Sequence, residues 1–256
     1  MQLVVNLVPS KAGKFMRLEI CVDCFESALA AQQGGAHRIE ICGSLASGGT
    51  TPSLGLVRQC VQRCQIPSVV MIRPNDAGFV YNEDDLSTML HDIKVVKQLG
   101  VQGIVFGALT PDGSVDVQAM QQLIEAARPL QITFHRAFDV ARDPLKALDA
   151  IIELGIDRLL TSGQSATAEK GVPLIRQLVD RAGDRLTVMA GAGINRSNVR
   201  QIIAETKVPE IHASASVLRL ESLSQSPERP THEVRFGDNS RVTSAERVRE
   251  LVEMMS

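Results

Sequence analysis

The chain has 256 residues, enough to bury a large core in one domain or two. Its 27 Lys and Arg nearly cancel 29 Asp and Glu, and no basic block or basic-aromatic interleaving is present, which argues against nucleic acid as a partner. No apolar run reaches the roughly eighteen residues of a spanning helix, and a small, odd set of five cysteines behind a start with no secretory pattern fits thiols in the cytoplasm.

Residues 1–15 carry no periodic pattern and are expected to be a flexible N-terminal extension or a misassigned start, with one domain over 16–256. From Leu18 to Asp23 apolar and polar residues alternate at the period of a strand, and His37 to Cys42 repeats the pattern. Leu18, Ile20, Val22, Ile39 and Ile41 would face covering helices, leaving Glu19, Cys21, Asp23, Arg38, Glu40 and Cys42 on the other face. Between the two strands Phe25–Gln33 reads as a short helix, ended at Gly34-Gly35 by a left-handed glycine.

A small polar loop, 43–52, then leads to a helix with Thr51 as N-cap and Pro52 in first position, running to about Cys64. The same rhythm continues. Strands are expected at Val69–Pro74, Gly103–Gly107, Ile132–Arg136, Arg158–Thr161, Leu186–Ala190 and Glu210–Ser214. The helices between them are capped at Asn82, Asp116 and Asp143, centred on Pro173–Arg181, and capped near Asn195. A last helix, Ser244–Met255, would open with a capping box of Thr243 and Glu246, after a long polar loop between Leu220 and Arg241. Alternating strand and helix repeated eight times, with no Trp and a single Tyr in an aliphatic core, predicts an α/β chain closed into a single-domain (β/α)8 TIM barrel.

Such barrels bind ligands where the loops after the strands converge. Extending the parity of the first two strands puts Glu19, Cys21, Glu40, Cys42, Arg73, Thr133, His135, Thr161, Thr187, His212 and Ser214 inside or at the mouth, where Val, Ile and Leu are usual. The carboxylates and Arg73 form either a buried ion-pair network or a site in which Arg73 holds an anion while Glu40 or His135 moves a proton. Asp139 would orient His135 or pair with Arg136. Gly191 and Gly193, with Thr161, Ser162, His212 and Ser214, mark a candidate anion-binding rim; the alternative is that the glycines only serve a tight turn. Cys21 and Cys42, at matching positions on neighbouring strands, would share a soft ion such as Cu(I) or simply pack as small apolar residues. No lysine falls at a strand's carboxyl end, which argues against Schiff-base chemistry, and two rim histidines are too few for a three-histidine zinc site unless carboxylates or thiols contribute.

Taken together, Leu18–Asp23, Arg38–Cys42, Gly48–Ser53, Met71–Pro74, Phe106–Leu109, Thr133–Asp139, Leu160–Gly163 and His212–Ser214 resemble the CutC copper homeostasis family. The resemblance breaks after Pro74, where Asn75-Asp76-Ala77-Gly78 replaces the family's Arg-Gly-Gly-Asp. It implies a (β/α)8 barrel, a cytoplasmic homo-oligomer (dimer or tetramer), and copper handling through the cysteines matching Cys21 and Cys42. Two functions are therefore expected. One is a copper homeostasis protein binding Cu(I). The other is an enzyme acting at the barrel mouth on a small phosphorylated or carboxylated metabolite, with Glu40, Arg73, His135 and Asp139 as its catalytic set.

Overall fold

A computed structural model describes residues 16–218 and 241–256. The expected leader 1–15 and all but the last residue of the expected loop between Leu220 and Arg241 lie outside them. Eight parallel strands, β1 (Arg17–Val22), β2 (Arg38–Ile41), β3 (Ser68–Met71), β4 (Gly103–Phe106), β5 (Gln131–Phe134), β6 (Arg158–Thr161), β7 (Thr187–Ala190) and β8 (Glu210–Ala213), close in sequence order, β8 returning to pair with β1. This is the expected (β/α)8 barrel.

The helices α1 (Phe25–Gln33), α2 (Leu54–Arg63), α3 (Glu83–Gln98), α4 (Val117–Ala127), α5 (Pro144–Glu153), α6 (Val172–Ala182), α7 (Val199–Thr206) and α8 (Ala245–Met255) cover the outside. Each of the longer ones buries one stripe at helical spacing, for example Met89, Ile93 and Val96 on α3 and Ile175, Leu178 and Ala182 on α6. These stripes meet the outward strand residues Leu18, Ile20, Val22, Ile39, Ile41, Val70 and Ile104 in one continuous apolar layer. Expulsion of that area from water, at about 25 cal/mol per Å2, is the main force closing the barrel.

Several local expectations shift by a residue or more. Ser53, not Thr51, caps α2; the Thr51 hydroxyl instead accepts from the Arg73 N–H at 3.0 Å and donates to its carbonyl at 3.2 Å, stitching the loop after β2 to the end of β3. Ser244, not Thr243, caps α8, because Thr243 belongs to β10 (Arg241–Thr243), which pairs antiparallel with β9 (Ser216–Leu218). α7 begins at Val199 behind Asn198, since Asn195 is used in a preceding turn. At the end of α1, Gly35 takes the left-handed conformation at φ +91°, while Gly34 is needed for closeness: a Cβ there would lie 2.4 Å from Val248 Cβ on α8.

Candidate functional site

Inside the barrel the polar residues divide into two tiers. The lower tier begins at the amino ends of the strands. Arg38, first residue of β2, pairs with Glu19 of β1 through Nε and with Glu210, first residue of β8, through Nη2 at 2.6 Å. Glu210 also takes Arg158 Nε of β6 at 3.0 Å, and Arg158 Nη2 donates to Gln131 of β5 at 2.8 Å. All four charged groups are buried, and two carboxylates balance two guanidiniums. The expected ion-pair network is therefore real. It is built on Glu19, Arg38, Arg158 and Glu210, however, and Arg73 is not in it.

Above this tier a cavity of about 240 Å3 opens at the carboxyl ends of the strands, walled by Cys21, Glu40, Cys42, Met71, Phe79, His135, Arg136, Leu160, Gly193, His212 and Ser214 among others. His212 bridges the two tiers. Its Nδ1 lies 2.8 Å from Glu19 Oε1 and its Nε2 3.7 Å from Glu40 Oε2, so one imidazole stands between two carboxylates. Ligand-capable atoms of Glu19, Glu40 and His212 all fall within 4.8 Å of one another.

The surroundings of these groups set opposite charges on like residues. Burial pushes the Glu19 carboxyl up, but the Arg38 guanidinium and then His212 hold it down at about 2. No guanidinium pairs with Glu40; burial, with Glu19 nearby, raises it to about 7 despite His212, the Cys42 thiol and the weaker pull of Arg38. Burial depresses the His212 imidazole, yet the Cys21 sulfur and the two carboxylates outweigh it and lift the group well above its ordinary value. His135 goes the other way, pushed to about 3 by burial and by Arg73. Its Nδ1 accepts from the Ala137 N–H at 3.2 Å, so the neutral ring carries its proton on Nε2. Gly107, at the end of β4, makes room for that ring, since a Cβ would sit 2.8 Å from His135 Nδ1.

Cys21 and Cys42 both reach the cavity, but not at matching positions. Cys21 is paired with Glu40, and Cys42 lies two residues further along, the stagger that barrel closure imposes on parallel neighbours. The Cys42 thiol is buried and raised well above its ordinary value by burial, then by Glu40 and Cys21.

Other expected residues have been placed elsewhere. Asp23 is exposed. Thr161 has the wrong parity: Arg158 and Leu160 point inward from β6, and Leu160, not Thr161, lines the cavity. Asp139 does not orient His135. One of its oxygens accepts from the Thr161 hydroxyl at 2.5 Å and the Ser162 N–H at 3.0 Å, the other from the Ser162 hydroxyl at 2.9 Å and Arg136 Nε at 2.8 Å. Asp139, Thr161 and Ser162 thus form a staple between the loops after β5 and β6. Arg73 is buried behind Gly48, its Nη1 donating to the carbonyls of Ser47 and Gly49, each at 3.1 Å, and its guanidinium 4.8 Å over the Phe79 ring. Gly193 and Ser214 line the cavity, while Gly191 sits behind Leu160, whose Cδ1 would be 2.6 Å from a Cβ there. No regular helix starts directly behind Gly193. Of the two roles expected for Asp139 the structure has the pairing with Arg136, whereas sequence reading passed over Phe79 and the Arg158–Glu210 pair; only the charge of Arg158 and Glu210 within buried strands signalled the last.

Five buried side-chain polar atoms among the described residues have no hydrogen-bond partner: Glu40 Oε1, Arg73 Nε, Tyr81 OH, His135 Nε2 and Arg158 Nη1. Two of these, Glu40 Oε1 and His135 Nε2, belong to cavity walls.

The comparisons with known proteins agree with this architecture. The CutC family profile matches residues 16–217. The family protein CutC of Glaesserella parasuis serovar 5 is 52% identical over 78% of this chain and 82% of its own length. A mouse protein named copper homeostasis protein cutC homolog is 46% identical over 80% of this chain and 75% of its own. Among solved structures, one assigned to the copper homeostasis protein CutC of Streptococcus agalactiae is 33% identical, with a TM-score of 0.74 over 78% of this chain and 98% of that one. With a matching profile across the whole barrel and relatives at this identity, the chain belongs to the CutC family.

Proposed function

We propose that this chain serves copper homeostasis by holding Cu(I) at the barrel mouth between Cys21 and Cys42. The observation that carries the reading is that both sulfurs open on one cavity, with the His212 imidazole on the same wall. Sulfur is the donor that Cu(I) prefers; the His212 imidazole, held protonated between Glu19 and Glu40, would join only by giving up a proton, and the carboxylates supply negative charge rather than soft ligands. The five cysteines are free thiols, which suits a reducing cytoplasm. Because the Cys42 thiol is held protonated by its surroundings, metal uptake must release a proton and should tighten as pH rises. A competition titration with a chromogenic Cu(I) chelator tests this. One Cu(I) per chain is expected, lost in the Cys21→Ser, Cys42→Ser double variant; undiminished uptake by that variant overturns the reading.

A second reading, an enzyme acting on a small carboxylated or phosphorylated metabolite, is favoured by the unpartnered Glu40 Oε1 and His135 Nε2 on the walls of the same cavity. With its carboxyl near 7, Glu40 is suited to take or give a proton, and His135 offers a neutral donor. A thermal-shift screen of metal-free protein against such metabolites tests it, the expected result being stabilisation that Glu40→Gln abolishes. A screen with no stabilising compound counts against it.

A further inference from the structure

The cavity has a polarity that follows from which atoms are left without partners. Glu40, 2% exposed, lines one wall and its Oε1 has no hydrogen-bond partner; the Glu19 carboxylate stands behind it across His212. His135, also 2% exposed, lines another wall and its Nε2 has no hydrogen-bond partner. The Ala137 N–H occupies Nδ1, so Nε2 carries the hydrogen and is a fixed donor. Two guanidiniums lie near that donor. Arg136 is on the cavity wall but is paired with Asp139, and Arg73 lies behind Phe79, whose ring meets the His135 ring edge-on at 4.9 Å. Arg73 is buried and has no carboxylate partner among the described residues; its Nη1 is satisfied only by backbone carbonyls.

A buried donor or acceptor left unmade costs about 1–3 kcal/mol, and a buried guanidinium without a counter-charge costs more. The cost at His135 and Glu40 disappears if a ligand brings an acceptor with negative charge to the His135 end and a hydrogen-bond donor to the Glu40 end, while Arg73, which does not line the cavity, would be balanced only through its field. From this we infer that the cavity is a recognition site for a short hydroxy- or amino-carboxylate, its carboxylate accepting from His135 Nε2–H and its hydroxyl or ammonium donating to Glu40 Oε1. The inference rests on the second reading above and narrows it. A carboxylate is favoured over a phosphate because the Gly191-Ala192-Gly193 turn at this rim has no regular helix starting directly behind it to offer a phosphate a fan of backbone N–H groups. The remaining walls, Met71, Phe79 and Leu160, suit the carbon skeleton between the two polar ends.

The test is saturation-transfer NMR on the metal-free full chain with glycerate, malate and serine as carboxylate probes, glycerol as the uncharged control and glycerol 3-phosphate as the phosphate control. Transfer to at least one carboxylate probe and none to glycerol is expected. Affinity should fall about tenfold or more in Glu40→Gln and in His135→Asn. The second substitution is chosen because the Asn carbonyl can still accept from the Ala137 N–H while the Nε2 donor is gone; urea unfolding of each variant confirms that it folds, and either variant alone suffices. Transfer to glycerol 3-phosphate with none to the carboxylates overturns the ligand class but leaves the small-anion reading standing. No transfer from any probe, or transfer that survives both substitutions, overturns both.

Discussion

The lower and upper tiers of the barrel interior use the same residue types to different ends. Below, Glu19, Arg38, Arg158 and Glu210 meet as two acids and two bases, and Arg158 Nη1 is the one side-chain atom among them without a partner. Above, Glu40, His135 and Arg73 are just as buried, yet each keeps a polar atom unpaired, and no carboxylate faces Arg73 among the described residues. Burial therefore does not separate structure from function in this molecule. Whether the burial is compensated does, since a closed network holds strands together whereas an open one is completed only by something that enters.

The strongest way to break this comparison is at Arg38. Arg38→Met removes a group that joins β1, β2 and β8 and leaves Glu19 and Glu210 each short of a buried partner, so urea unfolding should show a loss of about 3–5 kcal/mol. A loss under about 1 kcal/mol would mean the lower tier is not what holds these strands. Asp139 sharpens the comparison, because it lies near the mouth but is fully satisfied. If compensation rather than height in the barrel decides, Asp139→Ala should behave like a lower-tier change and cost about 2–3 kcal/mol in the same assay, the Ser162 N–H and the hydroxyls of Thr161 and Ser162 having lost their acceptor.

The tiers were unevenly legible in the sequence. Strand order, closure and most helix bounds follow from alternation and caps, and the parity of β1 and β2 is visible because Leu18, Ile20 and Val22 alternate with Glu19 and Cys21. In Arg158-Leu159-Leu160-Thr161 that signal is missing: a strand buried on both faces carries apolar residues on both, so nothing marks Leu160 rather than Thr161 as inward. The lower network was hidden for another reason. Arg38 and Glu210 are 172 positions apart and meet only because β8 closes on β1. The Thr51 and Thr243 caps failed where a serine one or two residues on competes for the same role and the threonine is held by another element. Residues near the cavity were read correctly as polar and inward at Glu40, His135 and His212, whereas what each lacks is a property of the folded neighbourhood and has no sequence signal.

The two glutamates beside His212 test the comparison through pH. Glu40 sits at about 7 against an ordinary 4.5, so between those values the folded chain keeps a proton that the unfolded chain has released, and its contribution to stability falls as pH rises. Glu19 sits at about 2, so its contribution is complete above 4.5 and is lost as pH falls toward 2. Urea unfolding of Glu40→Gln and Glu19→Gln across these ranges should therefore differ from the parent chain in separate windows with opposite slopes, each at most about 1.4 kcal/mol per pH unit. A common window for both variants would show that the two carboxylates titrate as one group and that the division into tiers fails at His212.

The smallest effect is expected at His135. At pH 8 the ring is neutral in both folded and unfolded chains, and Asn at this position can keep the bond from the Ala137 N–H, so His135→Asn should change stability by no more than about 1 kcal/mol. Below pH 6.5 the unfolded chain takes up a proton that the folded ring refuses until about 3, which makes the parent chain lose stability as pH falls through that range. Asn has no such proton, so the variant should gain on the parent between pH 6.5 and 3, read as a crossing or narrowing of their urea midpoints. A lower-tier residue would show the reverse pattern, a large loss at pH 8 that acid does not repair. If His135→Asn behaves that way, the unpartnered Nε2 is part of the fold's own support, and the upper tier is no more open than the lower.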